Sequence, residues 1–103
     1  MPTYTSKALF RGAATTTTTT TLYTVPSATT TVVTDIVVTN TAGSAGTFTL
    51  SLAGTRIAEN VTVAANDSTV IQIKQVLAAT QTITGGASAT TINLHISGVE
   101  ITA

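Results

Sequence analysis

His95 is the only histidine in this chain of 103 residues, and Asp35, Glu59, Asp67 and Glu100 are its only acidic residues. These are the side chains that could move a proton or hold a metal. A catalytic zinc takes three protein ligands, and one histidine with scattered carboxylates does not supply them. In 92-INLHIS-97, His95 alternates with Ile92, Leu94 and Ile96, which points it away from a core. It reads as a surface or interface histidine. Glycoside hydrolysis needs two carboxylates at a set separation. Asp67 instead belongs to the turn Ala65-Asn66-Asp67, and Glu59 belongs to no motif. The serines lie outside any G-x-S-x-G elbow. Gly85-Gly86 precedes neither a lysine nor a helical pattern, so it is no phosphate loop. With no cysteine there is no disulfide and no thiolate chemistry. Two Phe, two Tyr and no Trp leave little to stack sugars or bases. The sequons at Asn60 and Asn66 are chance matches in a chain so rich in threonine. The chain reads as a non-enzyme, with no catalytic residues, no metal and no cofactor.

Charge narrows the classes further. Charged residues make up 8% of the chain, against about 25% in an ordinary domain, and the net charge is zero. No basic face is available for nucleic acid or an anionic membrane. No apolar run approaches the roughly 18 residues of a spanning helix. The opening MPTYTSKALFRG lacks an apolar signal core, so the expectation is synthesis in a cytoplasm without later secretion. A small neutral surface with few charges tends to associate. That favours a subunit that works packed against others.

The elements that would position such a surface are strands. Thr, Val and Ile dominate nearly every segment, and β-branched residues suit a pleated, half-buried surface. Turn signals recur at Pro26-Ser27, Asn40 to Gly46, Gly54, Ala65 to Asp67 and Gly85-Gly86. The best helical candidate, 74-KQVLAATQ-81, is a turn or two at most. The pattern predicts an all-β, antiparallel β-sandwich, jelly-roll or Ig-like, of about 7–8 short strands. In 32-VVTDIVVTN-40 the better core face is Val32, Thr34, Ile36 and Val38. In 47-TFTLSLAG-54 it is Phe48, Leu50 and Leu52. Ile57, Val61 and Val63 follow, then Thr69, Ile71 and Ile73 on one face. In 91-TINLHISGVEIT-102, Ile92, Leu94 and Ile96 alternate inward, and Val99 with Ile101 continue on odd numbers. The switch at Ser97-Gly98 predicts a β-bulge or bend. The expected core is centred on Ile36, Val38, Phe48, Leu50, Ile71, Ile73, Leu94 and Ile96.

Seven consecutive threonines, Thr15 to Thr21, have no apolar face and therefore no register of their own. They read either as ordered extended chain or as a mobile crossing. Leu22, Tyr23 and Val25 then anchor the chain, and Pro26 ends the segment. Upstream, 5-TSKALFRG-12 reads as a short strand with Phe10 opposite Leu9. The expected organisation is an extended Thr-rich N-terminal arm over 1–20 and a sandwich over 21–103. The expected interface residues are Thr15, Thr16, Thr17, Thr18, Thr19, Thr20, Thr21, Leu9 and Phe10.

The phrase TTLYTVPSATTTVVTDIVVTNTAGSAGTFTLSLAG, residues 20–54, resembles a pattern of small virion proteins of tailed bacteriophages. VLAATQTITGGAS (76–88) and NLHISGVEIT (93–102) resemble its second half. The resemblance implies a structural β-sandwich on the outside of a phage particle: a head decoration (cement) protein, or a tail- or fibre-associated module. It implies as partners the major capsid protein of the same phage and further copies of the chain, a trimer being one option. It brings no catalytic residues. A carbohydrate-binding adhesion sandwich is the reading from another class, and it would want exposed aromatics or a calcium site.

Overall fold

The structure, a computed structural model, describes residues 2–102. The β-branched segments form eight strands: β1 (Thr3–Ala13), β2 (Thr21–Thr24), β3 (Thr29–Asn40), β4 (Gly46–Leu52), β5 (Thr55–Val63), β6 (Ser68–Leu77), β7 (Thr82–Ala87) and β8 (Ile92–Thr102). The helical candidate at 74–81 is strand and turn instead. Val76 and Leu77 pair with Val32 and Thr31, and the side-chain carbonyl of Gln81 accepts the Ala78 N–H at 2.8 Å. Cross-strand partners outweigh the weak local propensity for helix.

The strands make two antiparallel four-stranded sheets, in the orders β1-β8-β3-β6 and β2-β7-β4-β5. Every connection except β4–β5 crosses from one sheet to the other. This is a jelly roll, one of the two sandwich topologies the sequence left open. The β4–β5 connection is a two-residue hairpin, with Ala53 and Gly54 both at positive φ (52° and 80°). That turn matches the twist of the flanking strands.

One core lies between the sheets. Phe48 and Leu50 from β4, Ile83 from β7, Ile36 and Val38 from β3, and Ile92, Leu94 and Ile96 from β8 are all but inaccessible to solvent. Ile71 and Ile73 pack against this core but stay half-buried, because β6 is an edge strand. Buried Asn40 closes the end of β3. Its side-chain N–H groups donate to the carbonyls of Ser44 (2.8 Å) and Val63 (3.2 Å), and its Oδ1 accepts the Ala42 N–H. A buried amide is tolerable only when satisfied in this way.

Alternation breaks where the sequence did not show it. Thr29, Thr31 and Val33 are buried in the first half of β3, and Ile36, Val38 and Asn40 in the second. Thr34 is the extra residue, opposite Ser97–Gly98 of β8. Val32 and Thr34 therefore do not share a core face with Ile36, contrary to the uninterrupted alternation expected. β1 has its own extra residue, Leu9, at the same level. The expected irregularity at Ser97–Gly98 thus falls at the right level of the sheet, but both neighbours carry the extra residue. β8 itself keeps phase: Ile92, Leu94, Ile96 and Gly98 are buried. Val99 and Ile101 consequently lie on the outer face rather than continuing the core. Ile57 is also exposed, and Ala58 takes the buried position in β5.

The segment read as an arm, 1–20, divides. Residues 3–13 are β1, paired along their length with β8. Leu9 and Ala14 enter the core of this same subunit, while Thr3 to Ala8 stay exposed. The hydrogen bonding sets no boundary at residue 20. The outer limits of the two expected ranges, Met1 and Ala103, lie outside the described residues.

Candidate interaction surface

The residues that could do chemistry are held apart. His95 is exposed on the outer face of the β1-β8-β3-β6 sheet, between Arg11 and Val37. Asp35 lies on the same face, level with Ser97 and Gln72. Glu59 pairs with Arg56 at 3.6 Å across exposed positions of β5. Asp67 accepts the Ser68 N–H in its turn. Among the described residues no three His, Cys, Asp or Glu side chains come together as a metal site would need.

Glu100 is the exception in having a structured environment. The Tyr23 hydroxyl donates to its carboxylate and also meets the Thr31 hydroxyl at 2.9 Å. Lys7 pairs with the same carboxylate at 3.4 Å. Burial, and after it the hydrogen bond to Glu100, push the Tyr23 phenol up to about 12 from its ordinary 10.0. This group ties β1 and β8 to β2, so it joins the two sheets at the end away from Asn40. Its geometry is that of a structural clasp, since every polar group in it faces another. Nothing in the sequence linked Tyr23 to a carboxylate 77 positions away.

The threonine run is ordered as a compact loop. Thr15 Oγ1 meets Thr20 Oγ1 at 2.6 Å, and the Thr20 hydroxyl donates to the Thr17 carbonyl at 2.9 Å. The carbonyls of Thr15 and Thr20 accept the N–H groups of Ala87 (2.8 Å) and Gly85 (2.9 Å). The loop therefore rests on β7. Gly86 permits this: a Cβ there would collide with the Thr17 carbonyl oxygen and come within 2.8 Å of that of Thr15. Hydroxyls that bond backbone locally are characteristic of Thr in turns. Most of Thr15 to Thr21 still presents side chain to solvent. Of the other expected interface residues, Leu9 is buried inside this subunit and Phe10 is half-buried against the core, so neither is free for a partner. The bulge turns Leu9 inward on the same side as Phe10, whereas strict alternation would put the two on opposite faces.

The two outer faces differ. In the β2-β7-β4-β5 sheet the outward positions of the central strands are Thr47, Thr49 and Ser51, and Thr82, Thr84 and Gly86, of which Thr49, Ser51 and Gly86 are buried, Gly86 beneath the threonine loop. In the other sheet they present Val32, Val37, Val99 and Ile101 among polar neighbours. The edge strands of that sheet add Tyr4, Val70 and Val76, which are 67%, 57% and 65% exposed. One outer face is thus hydroxyl-lined and the other substantially apolar.

No family model matches the sequence, and no curated protein sequence matches it. Solved structures do. A chain of the infectious bursal disease virus particle superposes on 97% of this chain with a TM-score of 0.57 at 11% identity. The present chain spans only 30% of that one. The fold resembles that of viral capsid chains. A chain from the virus-like particle of the extra small virus of the giant freshwater prawn Macrobrachium rosenbergii matches at TM-score 0.57 and 8% identity, over 99% of this chain and 80% of its own. A chain of the acid-stable capsid of Helicobacter pylori bacteriophage KHP30 matches at 0.57 and 9%, over 98% of this chain and 93% of its own. Identities this low establish shared architecture. The architecture is thus common to this chain and to chains of several virus particles.

Proposed function

We propose that this chain is a structural protein of a bacteriophage virion, a decoration subunit that binds the outside of the head and stabilises contacts between major capsid subunits. The observation that carries the reading is the likeness to the bacteriophage KHP30 capsid chain, in which nearly the whole of each chain is matched. A chain of this size and architecture can therefore be a component of a phage capsid. The sequence resemblance to small phage virion proteins points the same way. So does a chain with only 8% charged residues, suited to a subunit held in an array.

In this reading the sandwich is a rigid block and affinity is summed over many symmetric copies. The loop Thr15 to Thr21 is the shell contact. Its hydrogen bonds pre-order it, and β-branched side chains lose little freedom on docking. Co-sedimentation of the purified protein with heads that lack it tests the reading. The expected result is saturable binding with many copies per head and a raised temperature of head disruption. Failure to bind such heads removes the decoration role.

A further inference from the structure

We propose that the outer face of the β1-β8-β3-β6 sheet is a two-fold interface with a second copy of this chain. The inference stands independently of the virion reading. At one end of this face Tyr4, Ile101, Val99, Val32 and Val76 form a stripe that crosses all four strands. Tyr4 and Val76 lie at its two edges and are the most exposed large apolar side chains described. Apolar side chains this open, and contiguous, mark a contact surface.

The occupant follows from symmetry and size. Four strands about 4.8 Å apart and about 10 residues long, at about 3.3 Å each, give a face on the order of 600 Å² in projection. Side-chain relief brings the accessible area near the roughly 800 Å² per partner of a standard interface. A two-fold axis in the interface, parallel to the strands, lays β1 of one copy over β6 of the other at the same level. Val99 then meets the level of Val32 and Val76 that of Ser6, with Tyr4 two residues beyond Val76, so the centre of the stripe covers itself and its two edges flank it. The same operation sets Arg11 against the level of Val70, His95 against that of Val37 and Asp35 against that of Ser97. No like charges are opposed. Lys7 pairs with Glu100 on the inward side and stays clear of the contact. Aligned packing of two sheets is an ordinary sandwich geometry. A rotation about an axis across the strands would instead put the apolar stripe against Ala13, Asn93 and Thr39.

Sedimentation equilibrium of the full chain between about 1 and 200 μM tests this, with Val76→Lys, Tyr4→Lys and a control, Thr62→Lys, on the other sheet. The proposal expects a mass twice that of the 10.4 kDa chain. It expects at least a tenfold weaker association in each of the first two variants, with circular dichroism unchanged, and no change in the control. Both substituted residues are about two-thirds exposed, so misfolding is no confounder. A monomer at 200 μM overturns the proposal, as does a dimer indifferent to both variants. Loss of head binding in Val76→Lys, with a monomeric parent protein, also overturns it: the face would then belong to the capsid, and the decoration reading would stand.

Discussion

Leu9 of β1 fills the space that the missing side chain of Gly98 leaves on β8. A Cβ at Gly98 would come within 2.9 Å of Leu9 Cδ1 and would collide with the Val32 carbonyl oxygen on the other side. Two bulges, at Leu9 and Thr34, flank this glycine and turn one side chain inward beneath it. Gly98→Ala should therefore destabilise the fold by roughly 2–3 kcal/mol through overpacking. Thermal unfolding checks this, with an expected fall in Tm of at least 8 °C. A change within about 2 °C would mean that the bulges relax freely.

The clasp at Tyr23 predicts an alkaline limb to stability. The folded state raises the phenol pKa to about 12, so the unfolded chain loses that proton first. The contribution is complete below about pH 10 and is lost as pH rises from there through about 12. Tyr23→Phe should remove this part of the pH dependence. It should also cost about 1–2 kcal/mol at neutral pH, by depriving Thr31 and Glu100 of a partner. Denaturant midpoints of both proteins between pH 8 and 12 check it.

The threonine loop depends on Gly86. Gly86→Ala should lift residues 15–20 from β7 while leaving the sandwich folded. Hydrogen exchange reads this directly, because the Ala87 and Gly85 amides donate to Thr15 and Thr20. Both should lose protection by tenfold or more, and the core amides of β8 should keep theirs.

Truncation separates the two halves of β1. Removing residues 2–8 should leave a cooperative fold, weakened by the loss of the Lys7–Glu100 pair and of edge hydrogen bonds. Removing 1–20 should abolish cooperative unfolding, because Leu9 and Ala14 leave the core. Urea titration followed by circular dichroism distinguishes the outcomes.

The faces of β4 were legible in the sequence because Phe48, Leu50 and Leu52 alternate with hydroxyl residues, and nothing interrupts them. β3 was not, because Val32 and Val33 are equally apolar and a single extra residue, Thr34, exchanges the faces. β8 misled for a related reason. Val99 and Ile101 look like core, and only the neighbours' bulges show that they stay outside. The outer apolar stripe was hidden by that reading. A homothreonine run carries no pattern at all, and its order comes from Gly85 and Gly86, about 70 positions away. Long-range registers of this kind are set by pairing, which alternation does not encode.

A density map of the particle that carries this chain tests the central claim most directly. The account predicts density of this jelly roll at many symmetric positions on the outside of the head, with the loop Thr15 to Thr21 against a capsid subunit. Density confined to the tail, or a head surface free of it, would contradict the account.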